Sequence, residues 1–176
     1  MSTHTNKPDI IALQLNNPSP PPELELRQNP SDEAIEQIVN EFNSGQLQQA
    51  GEQALKMARS YPHAPFGWKV YGIVLNLQGR TAEALAPMQR AVALAPGDAE
   101  GHNNLGVTLK ELGRADEAAE SFKRAIALKP DYAEAYNNLG NSLRDLGAPD
   151  EALDCYRKAI KLKPQLAEVY NNLGIL

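Results

Sequence analysis

The chain has 176 residues, 42% of them apolar and 22% charged, which is the composition of one ordinary soluble domain. Its net charge of −5 argues against a nucleic-acid partner, which would require a clustered basic surface. The single cysteine, Cys155, excludes an intrachain disulfide and a Cys-rich zinc site.

The opening MSTHTNKPDIIALQLNN has no basic region followed by a long apolar run, so it does not read as a secretory signal. No stretch approaches the roughly 18 apolar residues needed to span a bilayer. A cytoplasmic location with no membrane partner is expected. Residues 1–30 hold six of the 13 prolines and read as an extended or flexible N-terminal segment. Its PSPPP run is either a solvated tail or a polyproline II ligand.

From residue 31 onward the sequence is periodic. Pro62, Pro96, Pro130 and Pro164 recur every 34 residues, as do Gly45, Gly79, Gly113 and Gly147, and also Gly72, Gly106, Gly140 and Gly174. Segments 99–132 and 133–166 share 17 of 34 residues, and 65–98 follows the same frame. Segment 31–64 is a degenerate copy without glycine at the eighth position, and 167–176 is a partial fifth copy. Internal repeats of this period predict a solenoid, all-α here, with 31–176 forming one domain.

Each unit reads as two helices. In the fourth, Tyr136, Leu139, Gly140 and Leu143 follow the i, i+3, i+4, i+7 spacing of one buried face. Gly147 ends that helix in the left-handed conformation. Pro149 suits a first helical turn, and Asp150 and Glu151 suit the positive end of the helix dipole. The second helix buries Ala152, Tyr156, Ala159 and Ile160, and Pro164 stops it. Small residues at the eighth and twentieth positions should let paired helices approach, with aromatics at the fourth and twenty-fourth filling the space between units. Pro87, two turns into its helix, predicts a local kink.

This pattern, W/Y-x2-L/Y-G-x2-L…A-x3-F/Y-x2-A…P, resembles the tetratricopeptide repeat, strongly over 65–176 and weakly over 31–64. The resemblance implies a right-handed superhelix of antiparallel helix pairs, with first helices lining a concave groove. The apolar residues Leu153, Tyr156 and Ile160 of helix 149–162 then form an outer face with only AEVYNNLGIL to cover it. Two expectations follow: a longer native polypeptide, or self-association through Leu153, Tyr156, Ile175 and Leu176.

No catalytic constellation is visible. His4, His63 and His102 are scattered, and His102 takes the fourth position, where Trp68 and Tyr136 stand in neighbouring units. No H-E-x-x-H, G-x-S-x-G or phosphate-binding G-x4-G-K-S/T run occurs. Cys155 reads as a structural thiol. The chain is therefore expected to be no enzyme and to need neither metal nor cofactor.

The chemistry lies in amides. Asn103-Asn104, Asn137-Asn138 and Asn171-Asn172 occupy the fifth and sixth positions of successive first helices, with Asn141 one turn later. Asparagine disfavours helix interiors by several tenths of a kcal/mol, so six of them require a reason. One is a hydrogen bond to the adjacent helix. The other is a clamp for a peptide main chain, since an amide both donates and accepts. Helices ~8–10 Å apart would meet roughly every third residue of an extended chain. Glu100 and Glu134, with Lys69, Lys110 and Arg144, make the expected groove polar and of mixed sign.

The N-N-L-G runs further resemble repeats of the O-linked N-acetylglucosamine transferase type. That resemblance implies that Asn104, Asn138 and Asn172 line the lumen and bind substrate backbone, with Val70 breaking the row in unit 65–98. The two-carboxylate clamp of chaperone co-factor repeats fits poorly, because Ile73 and Glu134 stand where amide or basic groups are wanted. The expected function is an interaction module for an extended peptide or protein. The alternative is the substrate-presenting arm of a transferase. Removing Asn104 and Asn138 together should abolish peptide binding with little effect on melting.

Overall fold

The computed structural model describes residues 29–174. The Pro-rich segment up to Gln28, with His4, and the terminal Ile175 and Leu176 lie outside the described residues. Among the described residues there are nine α-helices and no strand. They are α1 (Asp32–Asn43), α2 (Leu47–Ser60), α3 (Pro65–Leu77), α4 (Thr81–Leu94), α5 (Ala99–Glu111), α6 (Ala115–Leu128), α7 (Ala133–Asp145), α8 (Pro149–Leu162) and α9 (Ala167–Leu173). Each helix packs on the next, so the chain is an all-α solenoid of helix pairs.

The first-to-second turns share one geometry. Gly45, Gly79, Gly113 and Gly147 have φ between 73° and 78°, a region that costs a residue with a Cβ roughly 1–2 kcal/mol. In the third pair Gly113 N donates to Lys110 O and Arg114 N to Leu109 O, both at 2.9 Å. That double closure satisfies carbonyls that the end of α5 would otherwise leave unpaired. The following helix starts with a fork: Arg114 Nε and Nη2 each donate to Glu117 at 2.6 Å, and Arg80 repeats the contact with Glu83. Both forks are exposed, so they fix geometry more than they stabilise.

Inside each pair, the eighth and twenty-fourth positions exchange volume. Gly106 lies against the Phe122 ring and Gly140 against the Tyr156 ring. A Cβ on either glycine would come within 2.5 to 2.6 Å of a ring carbon. Gly72 faces Met88 in the same way. In the first pair the sizes are swapped: Ile38 takes the eighth position and Ala54 the twenty-fourth, in one buried cluster. The missing glycine of segment 31–64 is therefore a compensated exchange. Ala50, Ala84, Ala118 and Ala152 at the twentieth position are fully buried and permit the close approach.

Pro87 lies inside α4, which continues past it over 14 residues like α6 and α8, with the proline buried. Two expectations are corrected. At the fourth position Tyr136 packs against the core, whereas Trp68, His102 and Tyr170 are half-buried or exposed instead of filling the space between units. These three reach back to the proline carbonyl six residues earlier: Trp68 Nε1 donates to Pro62 O at 3.2 Å and Tyr170 Oη to Pro164 O at 3.0 Å. His102 Nε2 lies 3.1 Å from Pro96 O. Finally, Tyr156 is not on an outer face. It is fully buried within its own pair, so it offers nothing to a second chain. Leu153 and Ile160 are half-buried, and Val169 of α9 is fully buried.

Candidate functional site

First helices touch one another along the stack, α3 with α5 and α5 with α7, while successive second helices make no comparable contact. Spacing is therefore shorter on the first-helix side, which is the inside of the curve. Positions 2, 6, 9 and 13 fall on one stripe of each first helix by their 4-3-4 spacing. The stripe reads Phe66, Val70, Ile73, Leu77 on α3. It reads Glu100, Asn104, Val107, Glu111 on α5, and Glu134, Asn138, Asn141, Asp145 on α7. The inner surface thus passes from apolar to acidic and polar over three helices.

The asparagines divide into two sets. Asn138 Nδ2 donates to Asn103 Oδ1 at 3.0 Å, and Asn172 Nδ2 to Asn137 Oδ1 at 2.8 Å. Each fifth-position amide is buried and accepts from the sixth-position amide of the next unit. Asn103, at 7% exposed, and Asn137, at 2%, are buried partners in these bonds, which is the adjacent-helix alternative raised for the asparagines. Asn141 is likewise withdrawn: it is buried and accepts from Tyr156 Oη at 2.7 Å. Asn171 is exposed near the end of the described residues.

Asn104 differs. Its fifth-position counterpart is Lys69, whose ammonium is held by Asp98 at 2.9 Å with Glu100 at 3.9 Å. Burial works to raise the Asp98 pKa, but hydrogen bonding from Lys69 and the amides of Gly101 and Glu100 holds the carboxyl below its usual range. Among the described residues nothing hydrogen-bonds the half-buried Asn104 side chain. It lines a cavity of about 200 Å³ between α3 and α5, with Ile73, Asn76, Leu77, Val107 and Glu111. Asn76 Nδ2 donates to Thr108 Oγ1 at 2.7 Å, while Asn76 Oδ1 is buried without a partner among the described residues.

The remaining charged candidates are mostly engaged. Lys163 Nζ binds Glu134 at 2.6 Å, and that hydrogen bond outweighs burial and lowers the Glu134 pKa. Arg144 Nη2 lies 3.4 Å from Asp145, with Nη1 buried and unpartnered. Lys110 is half-buried and forms no ion pair among the described residues. Sequence reasoning raised a hydrogen bond to the adjacent helix but missed which amides pair and the Lys69–Asp98 substitute for that pairing. The available signal was the change from Asn to Lys at the fifth position of one unit.

Tetratricopeptide repeat models match residues 35–99, 88–120 and 133–166, and a TPR repeat model matches 108–147. The chain belongs to the tetratricopeptide repeat family. No curated protein matches it in sequence. Among solved structures it is similar to MamA at 23% identity and TM-score 0.70, covering 83% of this chain and 85% of that one. MamA from Desulfovibrio magneticus RS-1 aligns at 21% identity and TM-score 0.68, covering 76% and 75%. YrrB, described as a TPR protein with an unusual peptide-binding site, aligns at 25% identity and TM-score 0.70, covering 76% and 69%. Among the described residues no group of three or more His, Cys, Asp or Glu is placed to hold a metal ion, and no helix is long and apolar enough to cross a membrane.

Proposed function

We propose that this chain is a protein-interaction module that holds an extended peptide along the first-helix side of the repeats. The observation that carries this is the placement of the sixth-position amides. Asn104 is unengaged on the inner stripe, and Asn138 and Asn172 are each held by one amide hydrogen with the oxygen left to accept. An extended strand rising ~3.3 Å per residue meets such groups about every third residue and is bound by its main chain. The likeness to YrrB supports the same reading. Asn104 is its central contact; Asn138 and Asn172 add oriented acceptors, with Lys110 and Arg144 beside them.

A second reading rests on the N-N-L-G runs: the groove presents acceptor proteins to a transferase domain. Both readings require a peptide in the groove, so one experiment addresses the shared step. Random 12-residue peptides are displayed and selected on the full chain, and an enriched peptide is labelled with fluorescein. Fluorescence anisotropy should show saturable binding that weakens several-fold in Asn104→Ala, with unchanged melting. No enrichment, or full affinity in Asn104→Ala, contradicts the proposal.

A further inference from the structure

We infer that the α3–α5 cavity is a specificity pocket for one large aliphatic or aromatic side chain, flanked in the ligand by a basic residue. This rests on the peptide-binding reading and adds a side-chain preference to it. The cavity, at about 200 Å³, is smaller than the ~300–1,000 Å³ typical of small-molecule sites. It suits a single side chain. Its floor and walls are Ile73, Leu77 and Val107, and Leu77 is 58% exposed, the most exposed large apolar residue among the described residues. The equivalent place between α5 and α7 offers Val107 and Asn141, with the Asn141 amide already bonded to Tyr156, so the apolar pocket occurs once along these three helices.

The polar groups fix what surrounds that side chain. Asn76 Oδ1 in the wall lacks a donor among the described residues, and Asn104 stands opposite with its amide unengaged. Asn76 Oδ1 is buried beneath the surface, so the group that meets the main chain of a peptide beside the apolar side chain is the Asn104 amide. Of the carboxylates on the stripe, Glu134 is bound by Lys163, Asp145 lies 3.4 Å from Arg144 Nη2 and Glu100 3.9 Å from Lys69 Nζ, while Glu111, at the edge of the cavity, has no ion pair among the described residues. Glu111 accepts only a hydroxyl hydrogen bond from Thr81, at 2.9 Å, and lies at the C-terminal end of α5, where the helix dipole is also negative. The nearby guanidinium groups of Arg80 and Arg114 are committed to Glu83 and Glu117. A cation on the ligand beside the apolar side chain is the complement of Glu111.

The test is a sequence profile and two variants. The 12-residue peptides selected on the full chain should be enriched in a Leu, Ile, Met or Phe with a Lys or Arg nearby in the peptide. Leu77→Asp, at a solvent-exposed site, should weaken such a fluorescein-labelled peptide ten-fold or more. Glu111→Lys should weaken it several-fold and flatten its salt dependence. If Leu77→Asp also lowers melting, Leu77→Ser provides the second reading at the same site. Enriched peptides without the apolar residue, or affinity unchanged in both Leu77 variants, overturn the pocket while leaving the groove standing. Failure to enrich any peptide overturns both.

Discussion

Gly106→Ala is the sharpest probe of how the pairs are packed. On an exposed helix the change would stabilise by up to about 1 kcal/mol, since glycine is the poorer helix former. Here the new Cβ would sit 2.5 Å from Phe122 Cε1 and 2.8 Å from Cδ1 and Cζ. Carbon atoms pack best at ~3.5–4.0 Å, so the ring must retreat by roughly 1 Å. Phe122 is fully buried and its ring is rigid, and overpacking of this kind costs about 1–3 kcal/mol. The strain outweighs the propensity gain, and the variant should lose up to about 2 kcal/mol. Gly72→Ala meets the unbranched Met88 side chain instead, with Cε and Cγ both at 2.9 Å, and should cost less because that chain can change rotamer where a ring cannot. Thermal melting followed by circular dichroism separates the two, at about 2–4 °C per kcal/mol for a chain of this size. Because solenoids unfold in segments, the comparison between the two variants is the robust quantity. Equal melting of Gly106→Ala and Gly72→Ala would refute the packing argument.

Three further predictions follow from the same contacts. Tyr156→Phe leaves buried Asn141 Oδ1 without its donor and should cost about 1–3 kcal/mol in chemical denaturation; adding Asn141→Val, which copies the Val107 and Phe122 pairing, should restore most of it. Asn138→Ala strands buried Asn103 and, contrary to the expectation from sequence, should lower melting, whereas Asn104→Ala should not; equal effects would dissolve the distinction between paired and unpaired amides. Burial, aided by Asp154 and Glu151, pushes the Cys155 thiol up from its ordinary 9.0. Only the thiolate reacts, so alkylation by iodoacetamide at pH 8 should be slower folded than in urea, with the folded rate rising at higher pH than the unfolded one. Equal rates at pH 8 would contradict this.

The helix pairs were legible because their punctuation is local. Glycine at the turn and proline after the second helix act within a few residues, so a 34-residue period in the sequence exposes nearly every helix end. Contacts between helices were not legible in the same way. That Asn138 bonds Asn103 depends on the register of α7 against α5, and a poor helix former with two hydrogen-bonding faces permits either a groove or an interface reading. Ile38 looked like a lost glycine until Ala54 was seen opposite it. Tyr156 looked exposed because a helical wheel shows its apolarity but not the bare Gly140 backbone it covers. The Asn104 site emerged from an exception: Lys69 breaks the amide pairing and leaves its neighbour unengaged.

The most direct measurement is an amide-resolved NMR titration of the labelled full chain with a display-selected peptide. Binding along the first-helix side predicts that shifts concentrate on α3, α5 and α7 and include the Asn104 side-chain amide. Shifts concentrated on α4, α6 and α8, with Asn104 unmoved, would contradict it.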